Sequence, residues 1–506
     1  MLVLLCVSVP SFMISLDANI VAVSLPSIAH ALRANFSTIE WVVSAYTLTF
    51  ASLVLPAGTL ADRYGRKNIL LGGLALFTLA SFMCGAARSA LILNSARALQ
   101  GVGAALLLSA ALATLSHEFR GPARARAFAF WGSVIGVAIA LGPVIGGFIT
   151  QTFGWEWAFY LNLPVGVAMF ALTVYAVRDS RDPNATSIDL PGFLTFAGAL
   201  FLVTLALISG NHHGWGSRRV VSEFIAAGLL FGAFLAIEST QRRPMLDLSF
   251  FRRPTYVGAN VAGLAYAGAF VTMLTYLPLY FQGGLGFAPQ KAGLLMLPMA
   301  VPLVVVPRLV ARHLTHRLSG RALLSLGLGL VALGLVLLGL VAGDFRYPSL
   351  LAGMLVAGIG AGILNGETAK VSMTAVPAER AGMAAGVGGT VRFAGVVTGF
   401  AALGAVLFGR TIASLRQLDP SASDSLLAAM AQRLATGDVP GAARVGPAAA
   451  NVALASFGAG YRAIFLTAAT VAATAAVASW FLVKASDTEP ERSPAGLEEA
   501  LVASVE

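Results

Sequence analysis

Four ionisable side chains sit inside otherwise apolar runs: Asp17 in SLDANIVAVSLPSIA, Arg97 in NSARALQGVGAA, Glu367 in ILNGETAKVSM and Arg392 in GGTVRFAGVV. Charges held in such a setting are expensive, and they mark ion paths, substrate paths or ion pairs. A carboxylate there can take up and release a proton, because burial and a neighbouring cation act on it in opposite directions. An arginine keeps its proton and can only steer such a group. Asp17 and Glu367 are therefore the candidate proton carriers. The competing reading is structural: Asp17 with Arg97 as a static ion pair between two helices, and Glu367 neutralised by Lys370, three residues on. Polar and aromatic residues near these charges, Trp41, Tyr46, Gln100, Tyr266, Tyr276 and Asn365, join Arg392 as candidates for lining a cavity. Their rings could stack on a flat lipophilic compound or a cation. Tyr280 reads instead as an interfacial anchor near a helix end.

The elements that carry these residues are long and oily. Of the 506 residues, 57% are hydrophobic and 11% charged, and the mean hydropathy is +0.81. Globular domains carry about 25% charged residues, so this composition belongs to an integral membrane protein. Long continuous apolar runs mean helices rather than the short alternating segments of a barrel. At about 20 apolar residues per crossing, spans are expected at 2–31, 40–61, 68–87, 90–116, 124–151, 157–177, 190–210 and 220–240. They continue at 255–281, 289–311, 321–342, 348–375, 382–409 and 461–483, fourteen in all. No A-x-A-like site ends a short apolar stretch, so no cleavable signal is read.

Basic residues are unevenly shared between alternate loops. One set holds Arg63, Arg66, Lys67, Arg120, Arg124 and Arg126, and continues through Arg178, Arg243, Arg253 and Arg317 to Arg380. The other short loops hold Arg33, Arg88, Arg218, Arg219, Lys291 and Arg346. The first set is expected in the cytoplasm, with both termini. The net charge of +10 punctuates apolar spans instead of forming one basic face, which argues against nucleic acid. Cys6 and Cys84 lie in apolar runs and read as small buried hydrophobes. His212 and His213 lack Cys, Asp or Glu at ligand spacing, so no metal site is expected. No phosphate loop occurs and no cofactor is implied.

The two ends of the chain echo each other. Leu25-Pro26 recurs as Leu277-Pro278, GVGAALL at 101–107 as GIGAGIL at 358–364, and PARARA at 122–127 as PAERAG at 377–382. The offsets of 252, 257 and 255 stay nearly constant across three helices. Spans 1–6 are thus equivalent to spans 9–14, with two inserted between. Internal repeats of this kind build alternating access around a midplane site.

Three motifs sharpen the reading. GTLADRYGRK, between spans 2 and 3, places Gly58, Asp62, Arg63, Gly65, Arg66 and Lys67 at the spacing G-x-L-a-D-r-x-G-r-k. Gly58 is expected to let span 2 end against a neighbour and Gly65 to supply the turn. The corresponding loop of the second half, LVARHLTHRLSGR, keeps cations but lacks the acid. In span 5, SVIGVAIALGPVIGG carries Gly136, Gly142, Pro143, Gly146 and Gly147. Gly132 and Gly136 there suggest a small-residue face, and the later glycines extend close packing. WEWAFYLNLPVG opens span 6. Together these elements resemble the major facilitator superfamily, in particular its fourteen-span drug:proton antiporter branch, over residues 10–410 and the last helix.

The resemblance implies an all-α integral membrane fold: two six-helix bundles related by pseudo-symmetry (1–178 and 254–484), with two inserted helices (179–253). A long extracytoplasmic loop at 410–460, containing the amphipathic stretch SDSLLAAMAQRLA, and a disordered polar tail at 485–506 complete it. It also implies that the 58–67 loop is a conformational latch and that the span 5 glycines mark an exporter. Arg97, with Gln100, would perturb a cavity carboxylate during proton coupling. Glu156 stands where the family has a basic residue, and NGETAK departs from its usual pattern. The implied activity is export of lipophilic, cationic or amphipathic compounds against protons across a bacterial plasma membrane. Small molecules, protons and lipid are then the partners, and a monomer the expectation. A dedicated exporter of one natural product and a non-transporting scaffold or sensor are the alternatives.

Overall fold

Fourteen helices long and apolar enough to cross a bilayer run through a computed structural model of the chain, and the described residues contain no strand. Residues 1–119, 121–181, 189–241, 246–376, 381–444 and 449–488 are described. Spans 1–6 are Leu2–Ala31, Phe36–Tyr64, Arg66–Gly85, Ala90–Glu118, Arg126–Thr152 and Trp157–Ala176. Spans 7 and 8 are Leu190–Gly210 and Arg218–Thr240. Spans 9–14 are Pro254–Gly283, Pro289–His313, Gly320–Val341, Tyr347–Thr374, Gly386–Leu418 and Ala450–Leu482. Arg120, Arg242, Arg243 and Arg380 of the basic loops, the start of the PAERAG repeat and the tail beyond Thr488 lie outside the described residues.

Helix starts follow capping chemistry. Asn35, Ser89, Ser217 and Ser319 each accept a backbone N–H three residues on, satisfying one donor that the first turn leaves free. The Asn35 cap starts span 2 at Phe36, earlier than the expected residue 40.

The expected 410–460 loop is much shorter. Span 13 continues to Leu418 and the last helix begins at Ala449. Hydropathy falls near Arg410, but Ala, Leu, Arg and Gln remain good helix formers, so the helix runs on. Asp424–Ala435 forms the amphipathic helix, capped by Ser423, and buries Leu427, Met430 and Leu434. It closes over the mouth between the lobes, where the Phe36 N–H donates to Gln432 Oε1 at 3.1 Å.

The two lobes meet most closely away from the basic loops. Within the first lobe Gly142 and Gly146 of span 5 lie on Asn19 and Ile20 of span 1, and between the lobes Gly147 lies on Pro289 and Gln290 of span 10. Gly293 of span 10 in turn meets the Pro143 carbonyl. A Cβ at any of these four positions would overlap its neighbour, so they hold the backbones together. Gly132 faces open space, and Gly136 makes only ordinary contacts at 3.9 Å. The close-packed face therefore begins further along span 5 than the Gly132/Gly136 spacing suggests. Across the same seam Gln282 donates to Val23 O at 2.9 Å.

Span 7 packs into the groove between spans 2 and 13, and span 8 packs on span 7. Only 17% of span 8's apolar window is buried, leaving Phe224, Ile225, Leu229 and Phe231 on an outer, lipid-compatible face.

Candidate functional site

Asp17, Arg97 and Gln100 come together in the first lobe as the centre of a closed polar network. Arg97 Nη1 donates to Asp17 Oδ2 and to Gln100 Oε1, each at 2.6 Å. Gln100 Nε2 donates to Asp17 Oδ1 and Ser81 Oγ, both at 2.9 Å. Asn162 Nδ2, from span 6, donates to Asp17 Oδ1 at 2.8 Å and to Ser81 Oγ at 3.3 Å. Arg97 Nε reaches Val42 O, and the guanidinium lies 4.1 Å from the centre of the Tyr46 ring. Asp17 is 0% and Arg97 1% exposed. Such burial is tolerable only because the charges oppose one another and their hydrogen-bonding atoms are occupied. Asn162 and Ser81 are additions to the expected set, since neutral polar residues in an apolar run carry little hydropathy signal.

A second constellation lies in the other lobe. Arg392 Nη2 donates to Asn365 Oδ1 at 3.3 Å and stands 5.0 Å from the centre of the Tyr266 ring. Tyr266 opens a π-helical turn, Tyr266–Val271, in span 9. Such a turn widens the helix and occurs often at functional sites. Glu367 is buried on the same helix as Asn365, two residues on. Trp41 packs on Phe201 of span 7, with ring centres 5.9 Å apart. Tyr280 does not sit as an interfacial anchor. It is fully buried among Phe345, Phe457, Tyr461 and Phe465, and its hydroxyl donates to Ala342 O at 2.7 Å.

The third group, Glu40, was absent from the sequence candidates. It is 3% exposed, sits one turn into span 2, and Oε1 is buried without a hydrogen-bond partner among the described residues. Its carboxyl lies against Gly404 of span 13, beside the Tyr276 hydroxyl of span 9. Tyr276 stacks on Phe400 and donates to the Phe400 carbonyl at 2.7 Å, leaving no proton for Glu40. Glu40 therefore bridges the two lobes without a polar anchor in either.

The 58–67 loop ties parts of one lobe together. Asp62 pairs with Arg66 at 2.9 Å, the Arg66 N–H donates to Ser180 O, and Lys67 donates to Val174 O. Gly65 makes the turn with φ +103°. Gly58 has open space where a side chain would go, and span 2 runs on to Tyr64. It ends no helix, contrary to the sequence reading. His213, at the end of the span 7 helix, meets Arg219 Nη1 at 3.1 Å, and no cluster of metal-ligand type occurs among the described residues.

Two helical lobes meeting at a seam, with charged side chains inside both, suit a transporter of small molecules. The chain belongs to the Major Facilitator Superfamily, whose family model matches residues 7–400. It is 35% identical to the multidrug resistance protein Stp of Mycobacterium tuberculosis over 80% of this chain and 76% of that protein. It is 30% identical to the tetracenomycin C resistance and export protein of Streptomyces glaucescens over 97% of this chain and 93% of that one. A bacterial homologue of the human lysosomal transporter Spinster shares the fold, with a TM-score of 0.65 and 15% identity over 97% of this chain and 98% of that chain. The protein is thus a multi-pass protein of the bacterial inner membrane.

Proposed function

We propose that the chain exports lipophilic, cationic or amphipathic drugs in exchange for protons, with the basic loops and both termini in the cytoplasm. The names of its relatives support drug export. The buried Asp17–Arg97 pair, completed by Gln100 and Asn162, is the observation that carries proton coupling. Protonation of Asp17 breaks its charge balance with Arg97 and leaves the guanidinium free to repel a cationic substrate. Proton and substrate then exclude one another, and each lowers the other's affinity by the same factor. Glu40 adds a second proton-bearing group. The lobes close around it on the outer side, and a charge there, without a donor, opposes that closure. A proton taken up from outside lets the seam close; its loss favours reopening.

In this reading the 58–67 loop stiffens the cytoplasmic end of one lobe, and Gly147 of span 5 with Gly293 of span 10 forms the outer contact between the lobes. Everted vesicles test the scheme. Substrate should collapse an imposed proton gradient with wild-type protein and fail to do so with Asp17→Asn. Exchange undiminished in Asp17→Asn would remove that carboxylate from the mechanism. The tetracenomycin C relative, aligned over nearly the whole chain, favours a second reading, an exporter dedicated to one natural product. Protection of a pump-deficient strain against a single chemotype would select it.

A further inference from the structure

Spans 13 and 14 enclose a cavity of about 390 Å³ lined by Arg410, Ser414, Gln417, Arg462 and Leu466. Both arginines are exposed, and neither side chain has a hydrogen bond or ion pair among the described residues. Thr467 lines this cavity and also a second one, an apolar groove of about 460 Å³. The groove runs down span 14 past Val471 and Ala475 to Ala478, with Gly399 and Ala402 of span 13, Gly268 of span 9 and Leu207 of inserted span 7 as its other walls.

Depth gives these two spaces their meaning. Arg462 stands 20 residues before Leu482, the far end of span 14, which is about 30 Å of helix. That is about the hydrocarbon thickness of a bilayer, so the guanidinium reaches the headgroup boundary of the leaflet opposite the basic loops. The groove, from Thr467 to Ala478, then covers about 16 Å, about one leaflet of acyl chain. A planar, permanently charged donor pair above a chain-length apolar slot matches the two ends of one molecule.

We propose that this seam binds an anionic phospholipid, its phosphate between Arg410 and Arg462 and one acyl chain along the groove. Span 7 thereby acquires a role, as the wall that completes the chain slot. The site lies on the outside of the second lobe and is independent of the Asp17 network.

Native mass spectrometry of the full-length protein, titrated with phosphatidylglycerol or phosphatidylcholine, tests this. Phosphatidylglycerol should bind in preference. The Arg410→Gln/Arg462→Gln variant should weaken it about 30-fold, since each basic group near an anionic surface contributes about a factor of five. Arg410→Lys/Arg462→Lys should retain most of the affinity. Thr474→Trp, which fills the exposed groove and leaves both arginines in place, should also displace the lipid. Equal affinity for the two lipids, or unchanged binding in both the glutamine and tryptophan variants, would overturn the proposal. Glycerol phosphate binding as tightly as the intact lipid would reduce the site to one for free anions and overturn it equally.

Discussion

Asp17 and Glu40 are both carboxylates, 0% and 3% exposed, in consecutive helices. Asp17 has an arginine and two amides as donors, all from its own lobe. Among the described residues Glu40 has no donor on Oε1, and its carboxyl lies against Gly404 of the other lobe. A charge satisfied inside a lobe travels with that lobe when the two halves rock. A charge enclosed only where the halves meet is exposed as soon as they part. The first can hold a binding site in shape through the cycle, and the second can sense which stage the cycle has reached.

The contrast breaks first at Arg97. Arg97→Ala leaves Asp17 buried and unpaired, and loss of one partner from a buried pair costs about 3–5 kcal/mol. The variant should melt well below wild type in detergent and show no efflux. Arg97→Lys should recover little, because one ammonium cannot serve Asp17, Gln100 and Val42 O in the geometry the guanidinium spans. Asp17→Asn/Arg97→Gln should regain much of the stability and none of the coupling. Full coupling in that double variant would make the pair a structural weld.

The seam breaks next at Gly147, where a side chain would strike the Pro289 carbonyl. Gly147→Val should cost the closed state about 1–3 kcal/mol, the usual price of overpacking. Spin labels on Arg33 and Ser421, both exposed near the closed mouth, should then report a larger separation. An unchanged distance would mean that this contact does not hold the outer side shut.

Why one carboxylate was legible in the sequence and the other was not follows from helix boundaries. Asp17 and Arg97 stand well inside their spans, so any hydropathy reading isolates them. Glu40 sits at the expected start of span 2, where a polar residue reads as the edge of the loop. The Asn35 cap moves the start to Phe36 and carries Glu40 a full turn inside. The same blindness hid the extension of span 13 beyond Arg410, because alanine-rich sequence stays helical after it ceases to be oily. Tyr280 misled for the opposite reason. Its position near a span end suggests lipid headgroups, but Phe345 and Phe457, distant in sequence, fold over it. The fourteen crossings were readable because they are written in local composition.

A neutral residue of the same shape at position 40 sharpens the comparison. Wild-type Glu40 should be increasingly ionised as external pH rises, and the charge favours the open seam. The fraction of widely separated Arg33–Ser421 labels should therefore grow with pH in the wild type. In Glu40→Gln it should stay low and flat, because the amide imitates the protonated acid. The difference at high pH should amount to about 1–3 kcal/mol, the penalty for a buried group left without its partner. Parallel pH profiles in the two proteins would deny Glu40 its sensing role while leaving the Asp17 argument intact.

The smallest effect is expected at Tyr276, and its sign is informative. Its hydroxyl donates to the Phe400 carbonyl and lies beside Glu40 at Gly404. Tyr276→Phe removes one hydrogen bond, worth about 1 kcal/mol, while the stacking on Phe400 at 4.8 Å survives. If the hydroxyl only braces spans 9 and 13, the variant should lose that stability at every pH and leave the label profile of the seam unmoved. If the hydroxyl turns toward Glu40 once the acid ionises, it stabilises the charged, closed seam that Glu40 otherwise opposes. Tyr276→Phe should then open the seam at lower pH than wild type, and the shift should vanish in the Glu40→Gln background. That double-variant comparison separates a brace from a hydrogen-bond switch, since only the switch makes the effect of one residue depend on the charge of the other.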